Sequence, residues 1–131
     1  MENLKVAITA VIEGDISSLS VVLAASHPEI QEAAAKLPQL TISRSALIKV
    51  LKEWRSGYCA AADVQQWASF VRRGYVARAT SGALHPIDIE YDAIDEELIV
   101  EIIGRLDEIG DLVDGDIDNN EREEMLKVLG V

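Results

Sequence analysis

The stretch Ala93–Val113, AIDEELIVEIIGRLDEIGDLV, carries the strongest secondary-structure signal in the chain. At about 100° per residue its apolar side chains cover roughly half of a helical wheel, and acidic residues fill most of the rest. Asp92 precedes it as a candidate N-cap, and Gly115 breaks the pattern. The sequence therefore predicts one long amphipathic helix around which the other helices pack. Its apolar stripe consists of Ile94, Leu98, Ile99, Ile102, Ile103, Leu106, Ile109, Leu112 and Val113.

Helical patterns also occur on both sides of this stretch. Ser43 is a candidate N-cap for a helix that ends at Gly57, and the next helix covers about Ala61 to Arg73, before Gly74. A last helix, capped by Asp118 or Asn119, follows the acidic stretch. The sequence thus predicts three further helices after residue 40.

The first 40 residues predict three short helices. An apolar stripe near the N-terminus is followed by Asp15 and Ser17, either of which can cap a second helix. Pro28 suits the first turn of a third helix, holds His27 outside it, and Pro38 ends that helix.

The remaining segment and the chain length complete the fold prediction. Tyr75–Pro86 is typical of a loop, and the alternation in Ile87–Tyr91 predicts a short extended segment. A chain of 131 residues fits one domain. We therefore predict an all-α, single-domain, irregular helical bundle of five to seven helices over residues 1–131. Residues 1–40 form its short N-terminal helices, and residues 41–131 form the main bundle with an acidic C-terminal third.

Charge is segregated along the sequence. The net charge is −11, and 16 of the 23 acidic residues lie between Asp88 and Glu124 against two arginines, Arg105 and Arg122. The preceding segment Thr41–Ile87 has seven basic residues against two acidic ones. Phosphate binding depends on positive charge, so this balance disfavours nucleic acid and anionic membranes as direct partners and favours a basic protein partner.

Cysteine usage and the N-terminal residues indicate the compartment. The single cysteine, Cys59, cannot form an internal disulfide or a site with several thiolates. Glu2 and the short apolar segment Val6–Ile12 match neither a signal peptide nor a membrane span. We therefore expect a cytoplasmic protein that does not contact the membrane.

One acidic run resembles the start of a calcium-binding loop. Asp114, Asp116 and Asp118 alternate as the first three ligands of such a loop would. Asn119 replaces the required glycine, and Met125 replaces the final bidentate glutamate. We expect a solvated turn between helices and no bound metal.

Catalytic signals are weak. Cys59 precedes a predicted helix N-terminus, but His27 and His85 are both tied to prolines elsewhere in the sequence. No carboxylate pair stands out as an acid and base, and no cofactor motif is present. We predict that the protein is not an enzyme and needs no cofactor, with catalysis by Cys59 or a carboxylate pair left as an alternative.

The polar face of the long predicted helix is the best candidate for a binding surface. It contains no lysine, so it forgoes the Glu–Lys pairs at i, i+4 that usually support a surface helix. A cationic partner would relieve the repulsion between these acids, although a purely solubilising role stays open. The predicted partner-binding residues are Glu96, Glu97, Glu101, Asp107, Glu108 and Asp111.

The segment Leu51–Ala68 resembles a unit of a known family. Its helix, short glycine turn and helix resemble colicin D-type bacterial immunity proteins and related small helical toxin inhibitors, and Gly110-Asp111 and Asp114-Gly115 are compatible with that group. The resemblance implies an antiparallel helical bundle that blocks the basic catalytic domain of a toxin nuclease, with carboxylates in place of RNA phosphates. No single inhibitory carboxylate can be assigned from it. The residues that carry it are Trp54, Gly57, Ala61, Val64, Trp67 and Ala68.

Two functions are thus predicted from the sequence. The first is a non-catalytic acidic binding protein, an immunity-type inhibitor of a basic bacterial toxin domain. The alternative is a structural or adaptor helical module, with a homodimer left open, in which the acids serve solubility only. A hydrophobic dimer survives high salt, whereas an ionic complex weakens.

Overall fold

A computed structural model describes residues 2–76, 85–110 and 115–131. Within these ranges the chain forms seven α-helices, one 3₁₀ turn and two short strands. The predicted mostly helical single domain is therefore confirmed. The elements, in chain order, are α1 (Glu2–Ile12), a 3₁₀ turn (Ile16–Ser18), α2 (Leu19–Ala24), α3 (His27–Ala35), β1 (Leu40–Ile42), α4 (Arg44–Arg55), α5 (Ala61–Arg73), β2 (Ile89–Tyr91), α6 (Glu96–Asp107) and α7 (Asn119–Val128).

The two strands form a small parallel sheet that the sequence predicted only in part. Leu40 of β1 pairs with Ile89 of β2, and Ile42 pairs with Tyr91. The extended segment at β2 was predicted, but β1 was not, because three residues between two helices are too few to show a strand pattern. Leu40 and Ile42 are both buried, so β1 contributes to the core as well as to the ladder.

Two helices after residue 40 begin at predicted N-caps, and α5 ends at its predicted glycine. The Ser43 hydroxyl accepts a hydrogen bond from the Ala46 amide at 3.2 Å and starts α4. The Asp118 carboxylate likewise accepts from the Glu121 amide at 2.8 Å and starts α7. Gly74 ends α5 at a φ of 76°, a left-handed conformation that favours glycine.

The N-terminal helices differ from the prediction in detail. Asp15 caps the 3₁₀ turn, through a 3.0 Å bond from the Ser17 amide, and α2 follows directly. Ser26 and Glu29 form a reciprocal capping box at the start of α3. The prediction that His27 lies outside this helix was wrong, because Ser26, and not His27, takes the extended conformation before Pro28.

The long predicted helix is shorter than its pattern. The Asp92 carboxylate accepts from the Ile94 amide at 3.0 Å and forms a turn, so α6 begins only at Glu96. Ile94 is consequently 91% exposed, and its placement on the apolar stripe was wrong. At the other end α6 stops at Asp107, and the predicted continuation through residues 111–113 lies outside the described residues.

One hydrophobic core includes residues from both ends of the chain. Trp67 of α5 is fully buried and donates its indole N–H to the Val11 carbonyl at 2.8 Å, which ties α5 to the end of α1. α1 packs against α2, α3 and β1, whereas α6 packs mainly against α5 and β2. The expectation that the bundle packs around the long acidic helix was therefore wrong.

Candidate functional site

The basic middle of the chain pairs with its acidic third. Arg44 forms an ion pair with Asp95, and Arg55 approaches Glu123 at 3.4 Å. Two further arginines of the basic segment, Arg72 and Arg73, also bond to an acid of that third. Four of the seven basic residues of Thr41–Ile87 thus pair with three acids of the acidic third.

Asp107 is the carboxylate that both Arg72 and Arg73 contact. Its side chain is 2% exposed, and its Oδ2 accepts from Arg72 at 2.8 Å and from Arg73 at 3.3 Å. The Gln65 amide donates to its Oδ1 at 3.1 Å. An acid at a helix C-terminus is disfavoured by the helix dipole, and these donors from α5 offset that cost. This group, which we call the Asp107 cluster, fixes α6 against α5.

A second ion-pair group bridges α6 and α7. Arg105 of α6 donates to the Glu121 carboxylate at 2.6 Å, to Glu108 at 2.9 Å and to the Asp116 carbonyl at 3.0 Å. The hydrogen bonds that Arg105 donates to Glu121 and Glu108 raise the pKa of Arg105, so it stays charged. Arg105 therefore joins α6 to α7 by polar contacts.

An open groove of about 610 Å³ lies between α6 and α7. It forms because α6 packs on α5 while α7 packs on α4, and direct contact between α6 and α7 is sparse within the described residues. Val100 and Val128 are 47% and 50% exposed. The apolar side chains along the groove, which we call its floor, are Leu98, Val100, Ile102, Met125 and Val128.

Four glutamates surround this floor. Glu108 and Glu121 are occupied by Arg105, whereas Glu101 of α6 and Glu124 of α7 have no ion-pair partner among the described residues. The other cation at the groove, Arg72, is held by the Asp107 cluster. The groove therefore combines an apolar floor with one unpaired carboxylate from each helix.

The six predicted partner-binding residues do not share one surface. Glu101 and Glu108 line the groove, while Glu96 and Glu97 are exposed on the first turn of α6. The prediction that Asp107 lies on the exposed face was wrong, because the arginines of α5 draw it into the interior. Asp111 lies outside the described residues.

Sequence reasoning missed the contribution of α7 and of two uncharged residues. Glu121 and Glu124 belong to the groove, although they lie beyond the helix that the charge pattern singled out. Val100 and Gly104 fall on the acidic arc of the α6 wheel and also line the groove. These two uncharged residues on an otherwise acidic arc were the sequence signal that could have indicated the groove.

The cysteine environment does not favour a nucleophile. Burial and, to a smaller extent, the nearby charges of Asp63 and Glu53 raise the pKa of the Cys59 thiol to about 11. At neutral pH such a thiol is protonated, and the thiolate is the nucleophilic form. His27 and His85 contact one another instead, through the His27 ring and the His85 carbonyl.

The described residues contain neither a cluster of metal ligands nor a helix that could span a membrane. Within residues 2–76, 85–110 and 115–131, no three histidine, cysteine or acidic side chains cluster as metal ligands would. The predicted failed calcium loop includes Asp114, which lies outside those ranges. None of the helices in the described part of the chain combines the length and apolar content needed to cross a bilayer.

Comparisons of the chain with known proteins do not bear on the function of the groove. The chain matches no protein-family model, and no curated protein or solved structure is significantly similar to it. The resemblance to colicin D-type immunity proteins therefore stays a prediction. Function has to be argued from the groove itself.

Proposed function

We propose that this protein is a non-catalytic binding protein that takes up a basic protein partner on the surface formed by α6 and α7. The observation that supports it is the proximity of the exposed floor residues Val100 and Val128 to the unpaired carboxylates of Glu101 and Glu124 in one groove. Apolar contact supplies binding free energy, and the acidic charge selects and steers a cationic partner. Glu97, exposed one turn before Glu101, extends the acidic surface.

The finer form of the proposal follows the resemblance. We propose that the partner is the basic catalytic domain of a bacterial toxin nuclease, and that this chain is its cytoplasmic immunity-type inhibitor. In this role the carboxylates beside the groove pair with cationic side chains of the toxin that otherwise contact the phosphates of its substrate. The protonated state of Cys59 at neutral pH is consistent with binding and not with thiol catalysis.

A charge-reversal experiment tests the proposal. The variant Glu101→Lys/Glu124→Lys reverses the two unpaired groove charges, and the control Glu13→Lys/Glu90→Lys makes the same charge change at two exposed residues that do not line the groove. Glu108 is left intact because it pairs with Arg105. Wild type and control should retain a basic partner captured from the native host at low salt. The groove variant should bind the purified partner at least about tenfold more weakly with unchanged helical circular dichroism.

Two outcomes contradict the proposal. Equal loss of binding in the groove and control variants would mean that only net charge matters. Binding that survives in the groove variant would mean that the partner lies elsewhere. In either case the groove is not the specific binding surface.

A homodimeric adaptor is the second candidate, because Val100 and Val128 leave apolar surface exposed in the groove. Two copies joined through these valines would bury apolar area, and such a dimer persists at high salt. Sedimentation velocity in low and high salt separates the candidates. A salt-resistant dimer that Val100→Asp dissociates would favour the adaptor.

A further inference from the structure

One residue that lines the groove, Gly104, is not required by the backbone or packing of the described part of the chain. Gly104 lies in the interior of α6, where glycine is the least favourable residue apart from proline. It is not among the glycines with positive φ, so the backbone does not require it. Apart from its chain neighbours and the backbone of its own helix, no atom of the described residues lies within 4 Å of the position that a Cβ would occupy, so packing does not require glycine either.

The position of Gly104 allows another molecule to approach α6 closely. It lies one turn from Val100 and Glu101 on the side of α6 that faces the groove. The absent side chain lowers the floor there and exposes backbone to an approaching molecule. Because the distance between two packed helices depends on the side chains at their contact, a glycine allows a second helix to lie closer to α6.

We propose that the occupant of the groove is a single amphipathic α-helix of the basic partner that crosses α6 at Gly104. Its apolar stripe contacts Val100 and Val128, and lysine or arginine side chains beside the stripe reach Glu101 and Glu124. This inference rests on the proposed function and adds the form in which the partner binds. Charge complementarity selects the basic flanks, and the apolar floor selects the stripe.

The walls of the groove favour a helix over an extended peptide. An extended segment binds by adding a strand to a free sheet edge, which supplies backbone hydrogen bonds. Both walls here are helices, whose interior backbone groups are already bonded within the helix. Helix-in-groove recognition needs only side-chain contacts and fits these walls.

The test uses synthetic helices as probes. The first peptide, of about 18 residues, carries leucines at i, i+3, i+4 and i+7 spacing with lysines on the other positions, and the second has the same composition in scrambled order. Binding to the full chain is measured by fluorescence anisotropy. The amphipathic peptide should bind at least about tenfold more tightly than the scrambled one, which has the same charge.

Protein variants locate the contact. Gly104→Leu fills the groove floor and should weaken binding of the amphipathic peptide at least about tenfold, while its melting temperature equals or exceeds that of wild type. Ala62→Leu adds comparable bulk at an exposed position of α5 and should leave binding unchanged. Gly104→Ala is the milder variant. It should raise the melting temperature by about 4 °C and weaken binding of the amphipathic peptide.

The outcomes distinguish this inference from the proposed function. Equal binding of both peptides, or full binding by both Gly104 variants, overturns the inference, and the proposed function stands if Glu101→Lys/Glu124→Lys still weakens binding. If neither peptide binds, the inference is overturned while capture of a basic protein is judged by its own test. A wild-type dimer that Gly104→Leu dissociates shows that the occupant is a second copy, which also overturns the inference.

Discussion

The two sides of α6 use the same residue types in opposite ways. Towards α5 it contributes buried apolar side chains, including Ile99 and Ile103, and the internal carboxylate of Asp107. Towards α7 it presents exposed Val100 and the unpaired carboxylate of Glu101. The apolar and charged groups on the α5 side have partners within the described chain. Those on the α7 side are available for contact with another molecule.

The comparison teaches that acidity alone does not identify a binding surface. Asp107 and Glu101 lie on one helix and look equivalent in a count of acidic residues. Asp107 forms ion pairs with Arg72 and Arg73, whereas Glu101 pairs with no cation among the described residues. A carboxylate is available to a partner only after internal ion pairs have been assigned.

Truncating the packed side should give the largest loss of stability. Ile103 is fully buried, so Ile103→Ala removes core contacts and leaves a cavity, and we expect a loss of about 3 kcal/mol in the free energy of unfolding. Urea unfolding followed by circular dichroism measures it. Val100→Ala, on the groove side, should change stability by less than about 0.5 kcal/mol. Similar losses in the two variants would show that both sides of α6 are packed alike.

Removing the internal charge should have an intermediate effect. Asp107→Asn leaves Arg72 and Arg73 without their anion, and we expect a loss of about 2 kcal/mol by the same unfolding measurement. Glu97→Gln removes one negative charge from an exposed position and is the matched control, with an expected change of less than about 0.5 kcal/mol. If Asp107→Asn matched this control, Asp107 would behave as a surface acid.

The smallest effect is expected at the polar bridge across the groove. Arg105→Gln breaks the bonds to Glu108 and Glu121, and we expect a loss of about 1 kcal/mol together with faster hydrogen exchange of α7 amides. Arg55→Gln, which breaks a single 3.4 Å contact with Glu123, should cost less than about 0.5 kcal/mol. The loss in Arg105→Gln should shrink at high salt, and unchanged α7 exchange would show that α4 alone holds this helix.

Local signals in the sequence were sufficient for most helices. Ser43, Gly74 and Asp118 were recognised from capping chemistry, which depends on residues only a few positions apart. The same signals overestimated α6, because Asp92 was equally able to cap a helix or to close the turn that leaves Ile94 exposed. The Asp92 amide donates to the Ile42 carbonyl of β1 at 2.9 Å, a long-range contact that a local pattern does not reveal.

The candidate site was only partly predictable because it depends on long-range pairing. A helical wheel places Asp107 among polar residues but cannot show that Gln65, Arg72 and Arg73 lie opposite it. The groove likewise exists because α6 and α7 pack on different helices, which no local pattern reveals. The acidic helix was recognised, and the surface to which it contributes was not.

The small parallel sheet has a consequence for the order in which the molecule assembles. β1 and β2 are separated by α4, α5 and the segment that follows them, so their pairing closes a long loop. Contacts of high sequence separation carry a large closure entropy and tend to form late in folding. We therefore expect the first half of the chain to be structured before β2 docks, and the groove between α6 and α7 to be the last part to form. A newly made chain would then gain the proposed binding surface only as folding finishes.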